Sequence, residues 1–349
     1  MDSIKTALVG YGYAGRSFHA QLIQHTDGLD LCAVAALHPD ERSQAAGLGV
    51  KAYASVDELL ADTDAELIVL ATPHDTHSPL AIQCLDAGRH VVTDKIMCLN
   101  TVEADAMIEA ARRNSRMLSV FHNSRWSGDY LTLRQVIADG LLGELLTVES
   151  RIVMHTRLNP DLWRCQAKHG GGKFFDFGAH LVDQALDLID SRVVSVYCDM
   201  LHSDPAVDVE TSACCHIRFA NGVRYIVDTG CTSRIHRERW YVQGTKGTFR
   251  KDGRLDPQET ALRRGEVNAN LPQPPEERAT VAYETAGQAV ERVLDTIPGN
   301  WPAYYRNIAD HLLKGTELTV KPEGVRRVIA VFDAARQSAR ENQVIYTDI

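Results

Sequence analysis

Two groups of residues have the chemistry to move a proton and to stabilise a negatively charged oxygen. Asp176 and His180 follow three consecutive glycines, Gly170 to Gly172, and stand four positions apart. In a helical segment they would share one face, where the carboxylate can orient the imidazole and raise its basicity. Lys95 follows an apolar stretch, and its ammonium could stabilise an alkoxide. On position alone, a solvated lysine and a structural histidine remain open alternatives.

A glycine-rich loop near the N-terminus indicates a dinucleotide. The run Gly10-Tyr-Gly-Tyr-Ala-Gly15 is G-x-G-x-x-G, and it stands between a strand pattern and a helix pattern, as that motif requires. Its glycines allow close backbone approach to a pyrophosphate, and the helix start offers free N–H groups. A glycine-rich turn without a ligand is the alternative. The residues expected to contact the cofactor here are Gly10, Gly12, Tyr13, Ala14 and Gly15.

The end of the second predicted strand favours NADP over NAD. The acidic residue that would hold a ribose 2′-hydroxyl is expected about 20 positions after the motif. That position falls near Ala36, where no carboxylate stands, and His38 and Arg42 lie just beyond it. These two side chains could meet a 2′-phosphate. A solvated helix start is the alternative for both of them.

Further cofactor contacts are expected where another strand ends, in Ala71-Thr-Pro-His-Asp-Thr-His77. Ends of this kind line the ligand crevice of a doubly wound sheet. Thr72, Pro73 and His74 are therefore expected to contact the cofactor. His77 is expected either to join them or to cap the next helix.

The elements that would position these residues alternate through the first 120 positions. Apolar stretches predict strands at 5–10, 29–36, 67–71, 90–94 and 117–121, with helical spacing between them. Ser55 with Glu58, and Asn100 with Glu103, have the spacing of helix N-terminal caps. Strands that alternate with helices predict a parallel sheet covered on both faces.

The pattern changes after about residue 125. It predicts helices at 131–139 and 177–190, a strand at 147–155, and four or five strands between 193 and 250, with a hairpin at Asn221-Gly222. Residues 253–280 are poor in apolar side chains and predict a surface excursion. Helices are expected at 284–296, 302–314 and 323–341. The fold class is α/β: a Rossmann doubly wound parallel sheet in 1–123, then an α+β domain in 124–349 with a large, open, mostly antiparallel sheet. The last helices can pack back on the first domain.

Composition excludes several classes of protein. The 349 residues carry 37 Lys+Arg against 46 Asp+Glu, so the formal net charge is −9. That balance argues against a nucleic-acid or anionic-membrane partner. No apolar run approaches the ~18 residues of a membrane span, and no signal peptide is expected at the N-terminus. Eight cysteines without C-x-x-C spacing predict reduced thiols in a cytoplasmic protein, and no metal site is expected.

Taken together, these motifs resemble the Gfo/Idh/MocA oxidoreductases, the family of glucose–fructose oxidoreductase and inositol dehydrogenase. The resemblance covers nearly the whole chain. It rests on residues 10–15, 71–77, 94–95, 121–126, 170–183 and 243–247. It implies hydride transfer between a nicotinamide and a secondary hydroxyl of a sugar or cyclitol. The run 121–126 is similar to a subgroup that includes NADP-using scyllo-inositol dehydrogenases.

The resemblance also implies roles for individual residues. His180 would take the hydroxyl proton, Lys95 would polarise the oxygen, and Asp176 would help to hold the site. The family's Glu-Lys-Pro stands here as Asp94-Lys95-Ile96, which leaves the geometry of the lysine open. Further cofactor contacts are expected from Asp94, Lys95, Asn123, Trp163 and Arg164. The substrate is expected to meet Lys95, Asn123, His155, Arg157, Trp163, Lys168, Asp176 and His180.

Two other functions remain compatible with these residues. A glycosidase or lyase of the same fold would use the nicotinamide transiently, with the same site residues. A non-catalytic redox regulator would need the glycine loop without Lys95, Asp176 and His180. An open sheet of the predicted size usually hides one face, so a homo-dimer or homo-tetramer formed through the C-terminal sheet is expected.

Overall fold

The computed structural model describes residues 3–253, 256–267, 271 and 273–349, and its chain divides into two compact units. The first unit comprises Met1–Asn123, Gln258–Ala269 and Asn300–Arg326. The second comprises Ser124–Pro257, Asn270–Gly299 and Arg327–Ile349. The chain therefore returns to the first unit twice after leaving it.

Helices and strands alternate as far as residue 120. In chain order they are β1 (Ile4–Val9), α1 (Ala20–Gln24, preceded by a π-helical turn at Gly15–His19), β2 (Leu29–Ala35), α2 (Pro39–Ala46), β3 (Lys51–Tyr53), α3 (Val56–Asp62), β4 (Leu67–Leu70), α4 (His74–Asp86), β5 (His90–Thr93), α5 (Thr101–Arg113) and β6 (Leu118–Val120).

The six strands form one parallel sheet in the order β3-β2-β1-β4-β5-β6. This is the order of a dinucleotide-binding sheet, and it confirms the predicted fold class of the N-terminal part. The order reverses between β1 and β4, so the loops that follow these two strands meet at one edge. The five predicted strands are present. The short β3 was not predicted, because three residues carry little periodic signal.

Both predicted helix caps are present. The Ser55 hydroxyl accepts the N–H of Glu58 at 3.1 Å, and the Glu58 carboxylate accepts the N–H of Ala54 at 3.0 Å. The Asn100 side-chain oxygen accepts the N–H of Glu103 at 2.9 Å. The helices α3 and α4 begin at Val56 and His74.

The remaining elements begin with α6 (Gly128–Ala138), β7 (Leu145–Val153), α7 (Ala179–Leu188, preceded by a π-helical turn at Phe174–Gly178), β8 (Val193–Leu201), β9 (Ser212–Phe219), β10 (Arg224–Gly230), β11 (Trp240–Gly244) and β12 (Gly247–Lys251). They continue with α8 (Pro257–Leu262), β13 (Ala279–Thr285), β14 (Gln288–Leu294), α9 (Pro302–Lys314), α10 (Pro322–Glu341) and β15 (Ile345–Tyr346).

The second sheet has the strand order β14-β13-β12-β11-β7-β10-β9-β8-β15. Its strand pairs are antiparallel except for β7 with β10, which confirms a large and mostly antiparallel sheet. On β9, Cys214 is half-buried and its neighbour Cys215 is fully buried, as expected for side chains that alternate across a strand.

The predicted helix at 284–296 is wrong. The structure has a β-hairpin there, in which Thr285 pairs with Gln288 across the two-residue turn Ala286-Gly287. Both turn residues have positive φ, 51° and 74°, as a type I′ turn requires. The turn, and not the spacing of the apolar side chains around it, decides the conformation of this segment.

The predicted excursion at 253–280 contains the short helix α8 and a 3-10 turn at Pro275–Glu277. Positions 254, 255, 268–270 and 272 of this stretch lie outside the described residues. In the part of the chain that the structure describes, no helix is both long enough and apolar enough to cross a membrane.

A buried ion pair anchors α7 in the second unit, and its loss should lower the stability of the protein. The Arg125 guanidinium donates to both carboxylate oxygens of Asp183, at 2.8 and 2.7 Å, and the Asp183 side chain is 1% exposed. Arg125→Met should therefore lower the free energy of unfolding by about 3–5 kcal/mol, because a buried carboxylate loses its cation. Urea denaturation measures the change. Arg112→Met, whose pair with Glu109 is exposed, is the control and should unfold like wild type. Equal stability of the two variants would contradict the stabilising role of the Arg125–Asp183 pair.

Candidate active site

Close contact of main chain shapes the glycine loop after β1. Gly10 has φ +92°, and a Cβ placed on it would overlap the carbonyl oxygen of Ala71 at the end of β4. A Cβ on Gly15 would overlap the carbonyl oxygen of Gly10. These two glycines let the loops after β1 and β4 touch and let the following helix close against the strand.

Gly12 differs from its two neighbours in the motif. A Cβ there would meet only Glu41 Oε1, at an ordinary contact distance of 3.6 Å. The fold itself therefore has room for a side chain at this position. The loop leaves open the place where a dinucleotide backbone would approach, so these residues fit the nicotinamide dinucleotide that the motif predicts.

Tyr13, also in the loop, contacts α8. Its hydroxyl donates to Glu259 Oε1 at 3.3 Å, and the Arg263 guanidinium lies 5.1 Å from the ring centroid. Partial burial, with the nearby Glu259 charge, raises the pKa of Tyr13 to about 12. Tyr13 is 40% exposed, so part of its ring stays available to a ligand.

The two residues expected near the ribose of the cofactor, His38 and Arg42, lie just beyond the end of β2. Arg42 Nη1 donates to the carbonyls of Ala36 and Leu37, at 2.8 and 2.7 Å, which holds its guanidinium beside the strand end. His38 is exposed at the N-cap of α2 and makes no side-chain cap bond there. Glu41, which lies near Gly12 as described above, was not predicted. Glu41 is distant from Gly12 in the sequence, and only the folding of the chain brings the two residues together.

His77 joins the ends of β4 and β5. It is fully buried, and its Nδ1 and Nε2 lie 2.7 Å from the Ile96 carbonyl and 3.1 Å from the Thr72 carbonyl. Burial lowers the pKa of this imidazole, against the opposing charge of Asp94. His77 thus lies within α4 and not at its cap, and in this structure it faces main chain. The Thr72 hydroxyl accepts a hydrogen bond from Thr76 at 2.6 Å.

A buried chain of side chains leads to Lys95. The Tyr305 hydroxyl contacts His19 Nδ1 at 2.6 Å, and His19 Nε2 lies 3.7 Å from Asp94 Oδ1. That same oxygen accepts the N–H of Lys95 at 2.8 Å. Burial acts to raise the pKa of Asp94, but His19 and Lys95 hold it below its usual range. The shorter acid at position 94 is therefore an ionised support for the turn that carries Lys95.

In the second unit, the segment from Trp163 to His180 brings several predicted residues together. Asp176 lies in the π-helical turn before α7, and His180 is the second residue of α7. Arg164 Nε and Lys173 Nζ each lie 3.8 Å from the Asp176 carboxylate. Trp163 stacks against the Arg164 guanidinium, 4.3 Å from its ring centroid. Two cations thus face the Asp176 carboxylate, and π-helical turns are frequent at functional sites.

Other predicted residues lie farther along exposed loops or in buried turns. His155 forms a bridge with Thr232, and its Nε2 accepts a hydrogen bond from Arg234 at 3.1 Å. His155, Arg157 and Lys168 are exposed, whereas Asn123 is buried. Within the described residues, no group of three or more His, Cys, Asp and Glu side chains is arranged to hold a metal ion, and all eight cysteines are free thiols.

The unequal surroundings of the motif glycines predict separable effects. Gly12→Ala should leave the melting temperature of the cofactor-free protein unchanged but weaken dinucleotide binding about tenfold or more, because the methyl group enters the ligand's side of the loop. Gly15→Ala should instead lower the melting temperature. Fluorescence titration and thermal unfolding measure the two effects, with Gly324→Ala, which meets nothing within 4 Å, as the control. Full binding by Gly12→Ala would contradict this assignment of the loop.

Comparison with known proteins agrees with this geometry. Residues 4–122 match the oxidoreductase family with an NAD-binding Rossmann fold, and residues 130–250 match the GFO/IDH/MocA C-terminal domain. The chain is 35% identical to the uncharacterized oxidoreductase YdgJ of Escherichia coli, over 99% of both chains. It is 28% identical to the NADP(+) scyllo-inositol 2-dehydrogenase IolW of Bacillus subtilis, over 99% of this chain and 96% of that one.

Solved structures give the same result. A putative oxidoreductase from Klebsiella pneumoniae superposes with a TM-score of 0.87 at 34% identity, covering 100% of this chain and 96% of the other. The putative oxidoreductase yvaA from Bacillus subtilis reaches 0.93 at 25% identity, over 99% of both chains. With both sheets and both family domains matched, the chain belongs to the Gfo/Idh/MocA family of NAD-binding Rossmann-fold oxidoreductases.

Proposed function

We propose that this oxidoreductase transfers a hydride between nicotinamide and a secondary hydroxyl of a sugar or cyclitol, with NADP as its preferred cofactor. The observation that carries the proposal is the Asp176–His180 segment, where a carboxylate held between two cations precedes an imidazole by four residues. The name of the relative IolW supports an inositol-like substrate for that protein, and the similarity extends over 99% of this chain.

The roles of the residues follow from their chemistry. His180 accepts the hydroxyl proton as the alcohol is oxidised, and returns it in the reverse direction. Lys95 donates a hydrogen bond to a substrate oxygen and stabilises its developing negative charge. Asp176 orients the histidine segment. A bound nicotinamide dinucleotide supplies the hydride acceptor or donor, and residues of the glycine loop hold its phosphates.

Substitutions at these positions test the chemical step. His180→Ala should lower kcat about 10²–10⁴-fold, the usual contribution of a general base, and Lys95→Met about 10²–10³-fold. The dissociation constant of the cofactor should change little in His180→Ala, because His180 is not among the residues expected to contact the cofactor. Assays that follow nicotinamide absorbance with a panel of cyclitols and sugars measure turnover. The control is Lys314→Met, which replaces an exposed lysine. Wild-type turnover in both site variants would refute the roles assigned to these residues.

The same assay separates the other two functions. Reduced nicotinamide that accumulates with oxidised product marks a dehydrogenase. Product without any accumulated reduced cofactor marks the glycosidase or lyase that uses the nicotinamide transiently. Cofactor binding without turnover on any member of the panel marks the redox regulator.

The preference for NADP depends on the balance of charge at the end of β2. His38 and Arg42 favour a 2′-phosphate, while Glu41, close to Gly12, opposes it. Glu41→Gln should therefore raise the ratio of kcat/KM for NADPH over NADH, and His38→Ala should lower it, each by about tenfold, which corresponds to roughly one charge-assisted hydrogen bond. Initial rates with both cofactors measure the ratio. A tenfold preference of the wild type for NADH would refute the proposed cofactor.

A further inference from the structure

Two acidic side chains from one loop hold the segment that carries Asp176. Asp208 and Glu210 stand two positions apart, just before β9 begins at Ser212. Asp208 Oδ1 accepts the N–H of Ala167 at 2.8 Å, and Glu210 Oε1 accepts the N–H of Phe174 at 2.7 Å. The Lys173 N–H also points at the Glu210 carbonyl, at 3.4 Å. The segment is thus held near both of its ends from the same loop.

Gly172 and Glu210 fit each other. Gly172 has φ +110°, a conformation that other residues rarely adopt, and a Cβ on it would overlap both carboxylate oxygens of Glu210. The Glu210 carboxylate therefore packs directly against the main chain of Gly172, the third glycine of the Gly170–Gly172 run. Glu210, which lies 38 positions away in the sequence, therefore adds a steric requirement for glycine at position 172 to the one that the positive φ imposes.

Main-chain hydrogen bonds link Gly172 to two of the candidate site residues. Its carbonyl accepts the N–H of Asp176 at 3.0 Å, and its own N–H donates to the carbonyl of Arg164 at 2.9 Å. Arg164 in turn reaches the Asp176 carboxylate. A shift of Gly172 would consequently move both the acid and one of the two cations that face it.

We propose that the Glu210 carboxylate is a positioning residue, which through Gly172 and Phe174 holds Asp176 and His180 in their working geometry. The inference deepens the proposed function and rests on it for the identity of the reaction. Glu210 itself is not placed in contact with substrate or cofactor.

The negative charge of Glu210 lowers the stability of the folded protein. The residue is only 7% exposed, and burial raises its pKa to about 7, against the opposing effects of the Phe174 N–H and the Lys173 charge. An acid whose pKa is raised on folding stabilises the native state when protonated, and that contribution is lost as pH rises from the unfolded value toward 7. Above pH 7 the protein therefore carries an ionised group that a neutral glutamine would avoid.

Glu210→Gln tests the inference because it keeps the shape and an oxygen that can accept the Phe174 N–H. At pH 8 we expect kcat to fall about tenfold, as a charge-assisted hydrogen bond becomes a neutral one, with an unchanged cofactor dissociation constant and a melting temperature equal to or above that of wild type. The ratio of wild-type to variant kcat should decline toward 1 at pH 5.5, where Glu210 is protonated in the wild type. Taking the ratio cancels every pH dependence that the two proteins share.

A control substitution and a second measurement keep the outcomes distinct. Glu291→Gln, on the exposed strand β14, should match wild type throughout. A ratio that is constant with pH, or an activity loss matched by a large drop in melting temperature, would overturn the positioning role. Hydrogen exchange of residues 164–176 at pH 8 should be faster in Glu210→Gln than in wild type, whether or not a substrate has been found. Unchanged exchange overturns this inference, whereas faster exchange with no turnover of the wild type on any substrate overturns only the proposed function.

Discussion

The close approach of the loops after β1 and β4 is the constraint on which the first unit depends. Gly10 leaves no room for a side chain against Ala71, and Gly15 leaves none against Gly10. Because these contacts are between main-chain atoms, they fix the direction of the first helix relative to the sheet. The ends of β4 and β5 can then be joined by one buried imidazole, His77, which faces a carbonyl from each side. The position of Lys95, next along the chain, follows from that junction.

Both units use buried ionisable side chains to hold the backbone of loops that carry candidate site residues. In the first unit, the side chain of Asp94 accepts the N–H of Lys95 and faces His19, which Tyr305 holds from its other nitrogen. In the second, Glu210 accepts the N–H of Phe174. Loop amides that cannot pair within a helix or sheet need such partners when water is excluded. The Asp94 carboxylate thus supports the backbone of its own loop. An aspartate can fill this structural role at the position where the resemblance leads one to expect a glutamate.

Features that depend on residues close together in the sequence are predicted correctly, whereas features that depend on contacts between distant residues are missed. The parallel sheet, the caps at Ser55 and Asn100 and the hairpin at Asn221-Gly222 depend on residues within a few positions of one another, and the structure confirms them. The helix expected at 284–296 is a hairpin because two residues with positive φ decide its course. His19 and Glu210 escape prediction for another reason, since their partners Tyr305 and Phe174 lie 286 and 36 positions away. No periodic pattern links residues so far apart.

The glycine loop and the loop that carries Asp176 are held by different physical means. Steric contacts at Gly10 and Gly15 do not titrate, so the glycine loop keeps its shape across the physiological pH range. The loop that carries Asp176 instead depends on a buried carboxylate whose pKa, raised by burial to about 7, falls within that range. Under the roles proposed above, the dinucleotide would be held throughout this range, whereas the geometry for proton transfer would depend on the ionisation of Glu210. The stability that this charge removes above pH 7 would then be the cost of that dependence.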